Sequence, residues 1–117
     1  TAPAALIFAN VRGLKLGDVR VIWDTPAAPQ DRHAVYASGV EDLTLVGFAG
    51  APAGSKLAAI GLEKVRRAFI TQSRAEPGTR VFVGLSGTPD TEVVLNGNEL
   101  KNAARVLETG ASYVHLP

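Results

Sequence analysis

The stretches NVRGLKLGDV (10–19) and GVEDLTLVGF (39–48) carry one apolar skeleton twice: Val, then Leu-x-Leu, then a further apolar residue. Val11, Leu14, Leu16 and Val19 recur as Val40, Leu43, Leu45 and Phe48, each 29 residues later. A step of 25 residues reaches Val65, Ala68, Ile70 and Ser73 in KVRRAFITQS (64–73). Another 25 takes the last three to Val93, Leu95 and Asn98 in TEVVLNGN (91–98). Upstream of each anchor Val stands a second pair: Leu6/Phe8, Val35/Ala37 and Ile60/Leu62. Val83 and Leu85 fill that place in the fourth copy, which has two extra residues within SGTPDTE (86–92). A short fifth copy begins in RVLETGASYVHLP (105–117).

Self-similarity at this period marks an architecture of stacked units. Within each unit the apolar residues come in alternating pairs, the period of a strand with one buried face. The breaks between pairs, such as NVRG and SGVED, are too short for helices. Three short strands per unit, all turning one way, make a coil, and coils stacked by parallel pairing make a β-helix. The expected fold is therefore all-β: a right-handed parallel β-helix of four to five coils, at 4–31, 32–55, 56–79 and 80–104 plus a partial last one. In it Leu14, Leu43, Ala68 and Val93 form one buried column.

The third copy has a competing reading. SKLAAIGLEKVRRAFITQSR (55–74) places Leu57, Gly61, Val65 and Phe69 on one helical face, with Ser55 as N-cap and Glu63/Arg67 spaced i,i+4. Gly61 inside such a helix costs about 1 kcal/mol relative to Ala. The in-register neighbours decide for strands, with Ile60, Leu62, Ala68 and Ile70 inward and Phe69 outward.

Composition fits this reading. The 117 residues suffice for one domain, 1–117, with a real core, and 46% are hydrophobic against 20% charged. Twelve basic and 11 acidic side chains leave a net charge of +1, which offers nucleic acid or an acidic membrane no surface. No apolar run is long enough for a spanning helix. With no Cys there is no disulfide framework.

The stretches FANVRGLKLGDVRVIW (8–23), ASGVEDLTLVGFAG (37–50), AAIGLEKVRRAFITQSRAEPGTRVFVGLSG (58–87) and TEVVLNGNEL (91–100) together resemble the C-terminal coils of pectin-lyase-like β-helix proteins. The likeness is nearest to bacterial polygalacturonase-like proteins, the family 28 glycoside hydrolases. It implies a longer, extracellular or periplasmic parent solenoid that holds polysaccharide along a strand face. This chain would be its C-terminal part, packed on the remaining coils or on another copy.

The family's chemistry does not carry over. Its Asn-Thr-Asp, Asp-Asp, Gly-His-Gly and Arg-Ile-Lys strings are all missing from this sequence. Glu41-Asp42 are adjacent carboxylates but sit in a break between strands, where a solvated turn accounts for them. The calcium-assisted members need clustered Asp near Arg, and Asp18, Arg20 and Asp24 approach that only weakly. No catalytic residue, metal ligand or cofactor site is expected.

A sugar-contact surface is the remaining functional candidate. Trp23 beside Arg20 and Asp24 offers a flat apolar face flanked by groups that bind hydroxyls, although Trp23 packing under the loop TPAAPQD (25–31) is the simpler explanation, since large aromatics often close the edge of a core. Tyr36 alternates with inward Val35 and Ala37, so it is expected to face out as a second platform or as an ordinary surface tyrosine. His33 reads as a surface loop residue, and Lys64, Arg66 and Arg67 as a solvated basic cluster. Asn96-Gly97-Asn98 reads as a turn whose Asn side chains can satisfy backbone in the next coil.

Stacking also creates an end. The first coil has nothing above Leu6, Phe8, Leu14 and Leu16, so self-association or docking onto further coils is expected. The rival to a polysaccharide scaffold is accordingly a non-enzymatic assembly module of a phage or cell-surface structure. An immunoglobulin-like sandwich, suggested by GTPDTEVVLNGNEL (87–100) as a hairpin, leaves the repeat unexplained.

Overall fold

The computed structural model describes residues 4–24, 31–54, 56–87, 91–109 and 113–115. In chain order its strands are β1 (Ala4–Ala9), β2 (Gly13–Gly17), β3 (His33–Ser38), β4 (Asp42–Val46), β5 (Ala49–Gly50) and β6 (Ile60–Glu63). There follow β7 (Arg67–Thr71), β8 (Arg74–Ala75), β9 (Thr79–Ser86), β10 (Glu92–Asn96), β11 (Ala103–Thr109) and β12 (Tyr113–His115). Sheet one stacks β1-β3-β6-β9-β11 and sheet two stacks β2-β4-β7-β10-β12, parallel throughout. A narrow third face pairs β5 with β8, extended by bridges from Arg20 to Ala49 and from Arg74 to Glu99. The chain is a parallel β-solenoid of about four turns, and residues 60–63 and 67–71 are strands rather than one helix.

The registers reproduce the sequence columns. Leu14, Leu43, Ala68 and Val93 lie side by side across sheet two, as do Leu16, Leu45, Ile70 and Leu95. Leu6, Val35, Ile60, Val83 and Leu107 do the same across sheet one. The cause is geometric: parallel strands in register set each side chain above its equivalent, so a repeat offset in sequence becomes a column in space. Leu45, Ile60, Ile70 and Val83 are fully buried, each stabilising the fold by about 1.5–3 kcal/mol. Phe69 faces outward and is half-buried. The last rung begins at Ala103, two residues before the expected fifth copy, and reaches both main sheets.

Two corners turn the chain at left-handed residues. One column is Asn10, Gly39, Lys64 and Gly87, with φ of 59°, 68°, 54° and 85°; the other is Asp18, Gly47, Gln72 and Gly97, at 56°, 76°, 54° and 69°. In both, glycine alternates with a side chain. A Cβ on Gly39 would lie 2.9 Å from Asn10 Oδ1, and one on Gly47 would lie 2.8 Å from Asp18 Oδ1. The corner side chain of one rung therefore occupies the space that glycine leaves in the next. That is a second reason for glycine beyond its tolerance of positive φ.

On the third face the apolar column Val19–Phe48 changes to polar Ser73–Asn98, and hydrogen bonds replace packing. Phe48 N–H donates to Ser73 Oγ (3.1 Å) and Ser73 N–H to Asn98 Oδ1 (2.8 Å), while Asn98 Nδ2 donates to the Ile70 carbonyl (2.9 Å). Buried backbone groups that the narrow face leaves over are thereby satisfied. Asn98 meets the role expected of an Asn at a repeated bend. Thr91 turns inward too, its hydroxyl donating to the Val65 carbonyl at 2.7 Å.

Strict alternation fails at the start of sheet one. Ala34 N–H and Val35 N–H both donate to the Ala59 carbonyl, at 2.8 and 3.1 Å. The consecutive pairs Ala34/Val35, Ala59/Ile60 and Phe82/Val83 are all fully buried in the core cluster. This two-to-one pairing is a bulge-like bend, and it brings Phe82 in against Phe48 with ring centroids 6.2 Å apart.

Candidate functional site

The outer side of sheet one carries the row Ile7, Tyr36, Gly61, Gly84 and Glu108, one residue per rung. Glycine stands at two successive outward positions mid-sheet, where strands seldom hold it unless something approaches closely, and at Gly61 the approaching group is the His33 ring. The result is a groove of about 260 Å³ floored by Gly61 and Gly84. His33 and Tyr36 form one wall, Glu108 the other, with Lys56 and Ser86 on the rim.

The aromatic wall is held from several sides. The His33 and Tyr36 rings stack with centroids 5.5 Å apart and planes 18° from parallel. The His33 ring also lies over Gly61, where a Cβ would stand 2.6 Å from Cε1 and 2.7 Å from Nε2. Its Nδ1 is 2.8 Å from the Ala58 carbonyl. A carbonyl only accepts, so Nδ1 carries the proton. Burial lowers the pKa of His33 below its usual value, against a smaller opposing effect of the Ala58 hydrogen bond, and so favours the neutral ring. In that tautomer Nε2 is an acceptor. Tyr36 donates its hydroxyl to Glu63 Oε1, and burial first, then Glu63, raises its pKa.

The far wall is an ion-pair cluster. Glu108 lies 3.4 Å from Arg80 Nη1 and 4.0 Å from Arg105 Nη1, and Arg80 Nη2 donates to the Lys56 carbonyl at 3.1 Å. Arg80 thus ties the rim loop to the wall. The site offers the edge of a nearly buried His33–Tyr36 pair and charged rims beside the backbone of Gly84. Among the described residues no cluster of three His, Cys, Asp or Glu is arranged to hold a metal ion.

The residues singled out in the sequence separate. Arg20 is exposed on the third face, bridged to Ala49, and Asp24 is exposed nearby along the chain. Trp23 is half-buried and donates Nε1–H to the Ala51 carbonyl at 2.7 Å. Residues 25–30 of the loop expected to cover it lie outside the described residues. Tyr36 belongs to the groove wall on sheet one, where its contacts are His33 and Glu63. It projects outward as alternation requires, yet it is only 5% exposed because His33 and Glu63 cover it. His33 is not a surface loop residue: it opens β3 and is 8% exposed. The space for its ring comes from Gly61, one rung away.

Elsewhere the expected solvated charges are found on the outside. Glu41 lies 3.9 Å from Arg12, and Arg67 lies 3.6 Å from Glu92. Such exposed pairs stabilise a fold little. Sequence reasoning missed Gly61, Glu63, Gly84, Ser86 and Glu108 as a group. The available signal was the alignment itself, which sets Tyr36, Gly61 and Gly84 in one outward row. Comparisons with protein-family models, with curated proteins and with solved structures find no match to this chain.

Proposed function

We propose that this chain is the β-helix module of an extracytoplasmic polysaccharide-acting protein, akin to the polygalacturonase-like glycoside hydrolases that its sequence resembles. Its part is scaffold and sugar contact, without catalysis of its own. The observation that carries the reading is the glycine-floored groove with a stacked His33–Tyr36 wall. Sugar rings present flat C–H faces ringed by hydroxyls, which suits the partly open floor at Gly84 beside aromatic edges and charged rims. A row one residue wide per rung also suits a linear polymer lying along the stack.

The test is an NMR titration of the chain with oligogalacturonides and with neutral oligosaccharides. Shifts centred on His33, Gly61 and Gly84, abolished by Gly84→Val, support the reading; no shift up to millimolar sugar defeats it. Release of reducing ends or unsaturated products from pectic polymers by the chain alone would contradict its non-catalytic part. The second reading, an assembly module, is favoured by one observation: the inward side chains of the first rung are only half-buried.

A further inference from the structure

His33 is a titratable side chain that is only 8% exposed, and its two ring nitrogens are unequally used. The Tyr36 ring stacks on it, the Gly61 backbone lies against it, and Nδ1 donates to the Ala58 carbonyl. Nε2, on the other side of Cε1, is given no donor by any of the described residues. Buried polar atoms nearly always have a partner, so an acceptor left over beside a groove points to what enters the groove. His33 lines that groove with Gly84, Lys56 and Ser86. Two neighbouring polar groups are already engaged: the Tyr36 hydroxyl by Glu63, and the Glu108 carboxylate by Arg80 and Arg105.

Resting on the sugar-contact reading, we propose that His33 Nε2 is the acceptor by which the groove recognises a neutral sugar hydroxyl, so that uncharged sugar binds while the ring is neutral and leaves as the ring gains a proton. An unprotonated ring nitrogen accepts from a hydroxyl, whereas a carboxylate in the same place would set acceptor against acceptor. Nδ1 does not compete for this role, because its proton is directed at Ala58. Stacking on Tyr36 and seating over Gly61 hold the ring, so the acceptor is in place before a ligand arrives. Such preorganisation lowers the cost of binding.

Protonation reverses the arrangement. Both nitrogens of an imidazolium donate; a hydroxyl can turn round to accept, but covering a charged ring with uncharged sugar removes the water that solvates it. The charged and titratable groups around the ring are Tyr36 beside it on β3, Glu63 on β6, Lys56 on the rim, and Glu108 with Arg80 and Arg105 on the far wall. Lys56 and the two arginines oppose a positive ring, while Glu63 and Glu108 favour one. The coupling is reciprocal, so bound sugar keeps the ring neutral to lower pH.

The test is a series of NMR titrations of the chain with galactotriose and with trigalacturonate, from mildly alkaline pH down through the protonation of His33. Nitrogen-15 spectra of the imidazole should show the Nδ1–H tautomer in the free chain, and an Nε2 resonance that shifts on adding galactotriose. The Kd for galactotriose should be constant while the ring is neutral, and rise about tenfold per pH unit below the midpoint at which His33 titrates in the free chain. That dependence should persist in Glu63→Gln and Glu108→Gln. In His33→Asn, whose amide keeps a donor for Ala58 but has no atom at the Nε2 position, affinity should fall about tenfold and no longer vary with pH. Should a variant fail to fold, the series on the unmodified chain decides by itself. An Nε2–H tautomer, a Kd flat through the His33 titration, or an affinity that rises on protonation would overturn the proposal. Binding of trigalacturonate without galactotriose would overturn it and leave the sugar-contact reading standing, whereas binding of neither defeats both.

Discussion

Leu16 and Leu45 are the same residue in the same column, paired across one strand spacing, yet Leu45 is fully buried and Leu16 only half. The first rung and the second have nearly identical apolar patterns, so a rung's own sequence does not decide its burial. What decides it is a neighbour on each side. In a layered globular domain one element covers another face to face; here each coil covers its neighbours along a line, and an end coil is short of one neighbour.

Substitutions at paired positions sharpen that contrast. The largest effect is expected in the Leu16/Leu45 column. Leu45→Ala should cost about 3–4 kcal/mol in urea unfolding, since its cavity is walled on every side. Leu16→Ala should cost about 1 kcal/mol, because half of its surface is already wet. Equal losses would break the comparison.

Next comes the hydrogen-bonded stretch of the third face, where interior rungs depend on a side chain from the storey above. Asn98→Ala removes the acceptor of Ser73 N–H and the donor to the Ile70 carbonyl. A destabilisation of about 2 kcal/mol is expected from thermal or urea melts, the penalty of stranding buried backbone groups.

Glycines give a third contrast. Gly61→Ala pushes a methyl into the His33 ring, and should lower stability by about 1–3 kcal/mol while dispersing the His33–Tyr36 stack. Gly17→Ala in the first rung meets nothing within 4 Å and should be neutral or stabilising by about 0.5 kcal/mol. Near-equal shifts in unfolding midpoint would contradict the view that glycine at 61 makes the space that seats the His33 ring.

The smallest effect concerns pH. The folded pKa of His33 is lowered, so below the ordinary value of 6.5 the unfolded chain binds the proton before the folded one does. His33 therefore contributes stability above about pH 6.5 that is lost as pH falls from there through the lower folded pKa. In His33→Gln this part of the slope of stability against pH should vanish; an unchanged slope between pH 7 and 5 would remove His33 from the account.

How legible the molecule was follows from the same geometry. The columns through Leu14, Leu43, Ala68 and Val93 could be aligned because in-register stacking turns a constant sequence offset into vertical contact. Their neighbour Phe82 could not be assigned inward, since the bend at Ala59 breaks the alternation that assigns faces. Tyr36 illustrates the limit for sites. Its outward direction follows from the period of two, but its cover depends on Glu63 and on the ring of His33, and that ring depends on a missing side chain at Gly61. A groove made by absent atoms in adjacent rungs leaves no motif along the chain. Trp23, Arg20 and Asp24 formed a plausible cluster because they are close in sequence, whereas the solenoid assembles its surfaces across rungs about 25 residues apart.

Amide hydrogen exchange tests the central claim most directly. Strand amides of β4 and β7, covered on both sides, should exchange only through global unfolding, while those of β1 and β2 should exchange through cheaper local opening, at least tenfold faster. Uniform protection from β1 through β7 would mean that the first rung needs no neighbour, and would contradict the account.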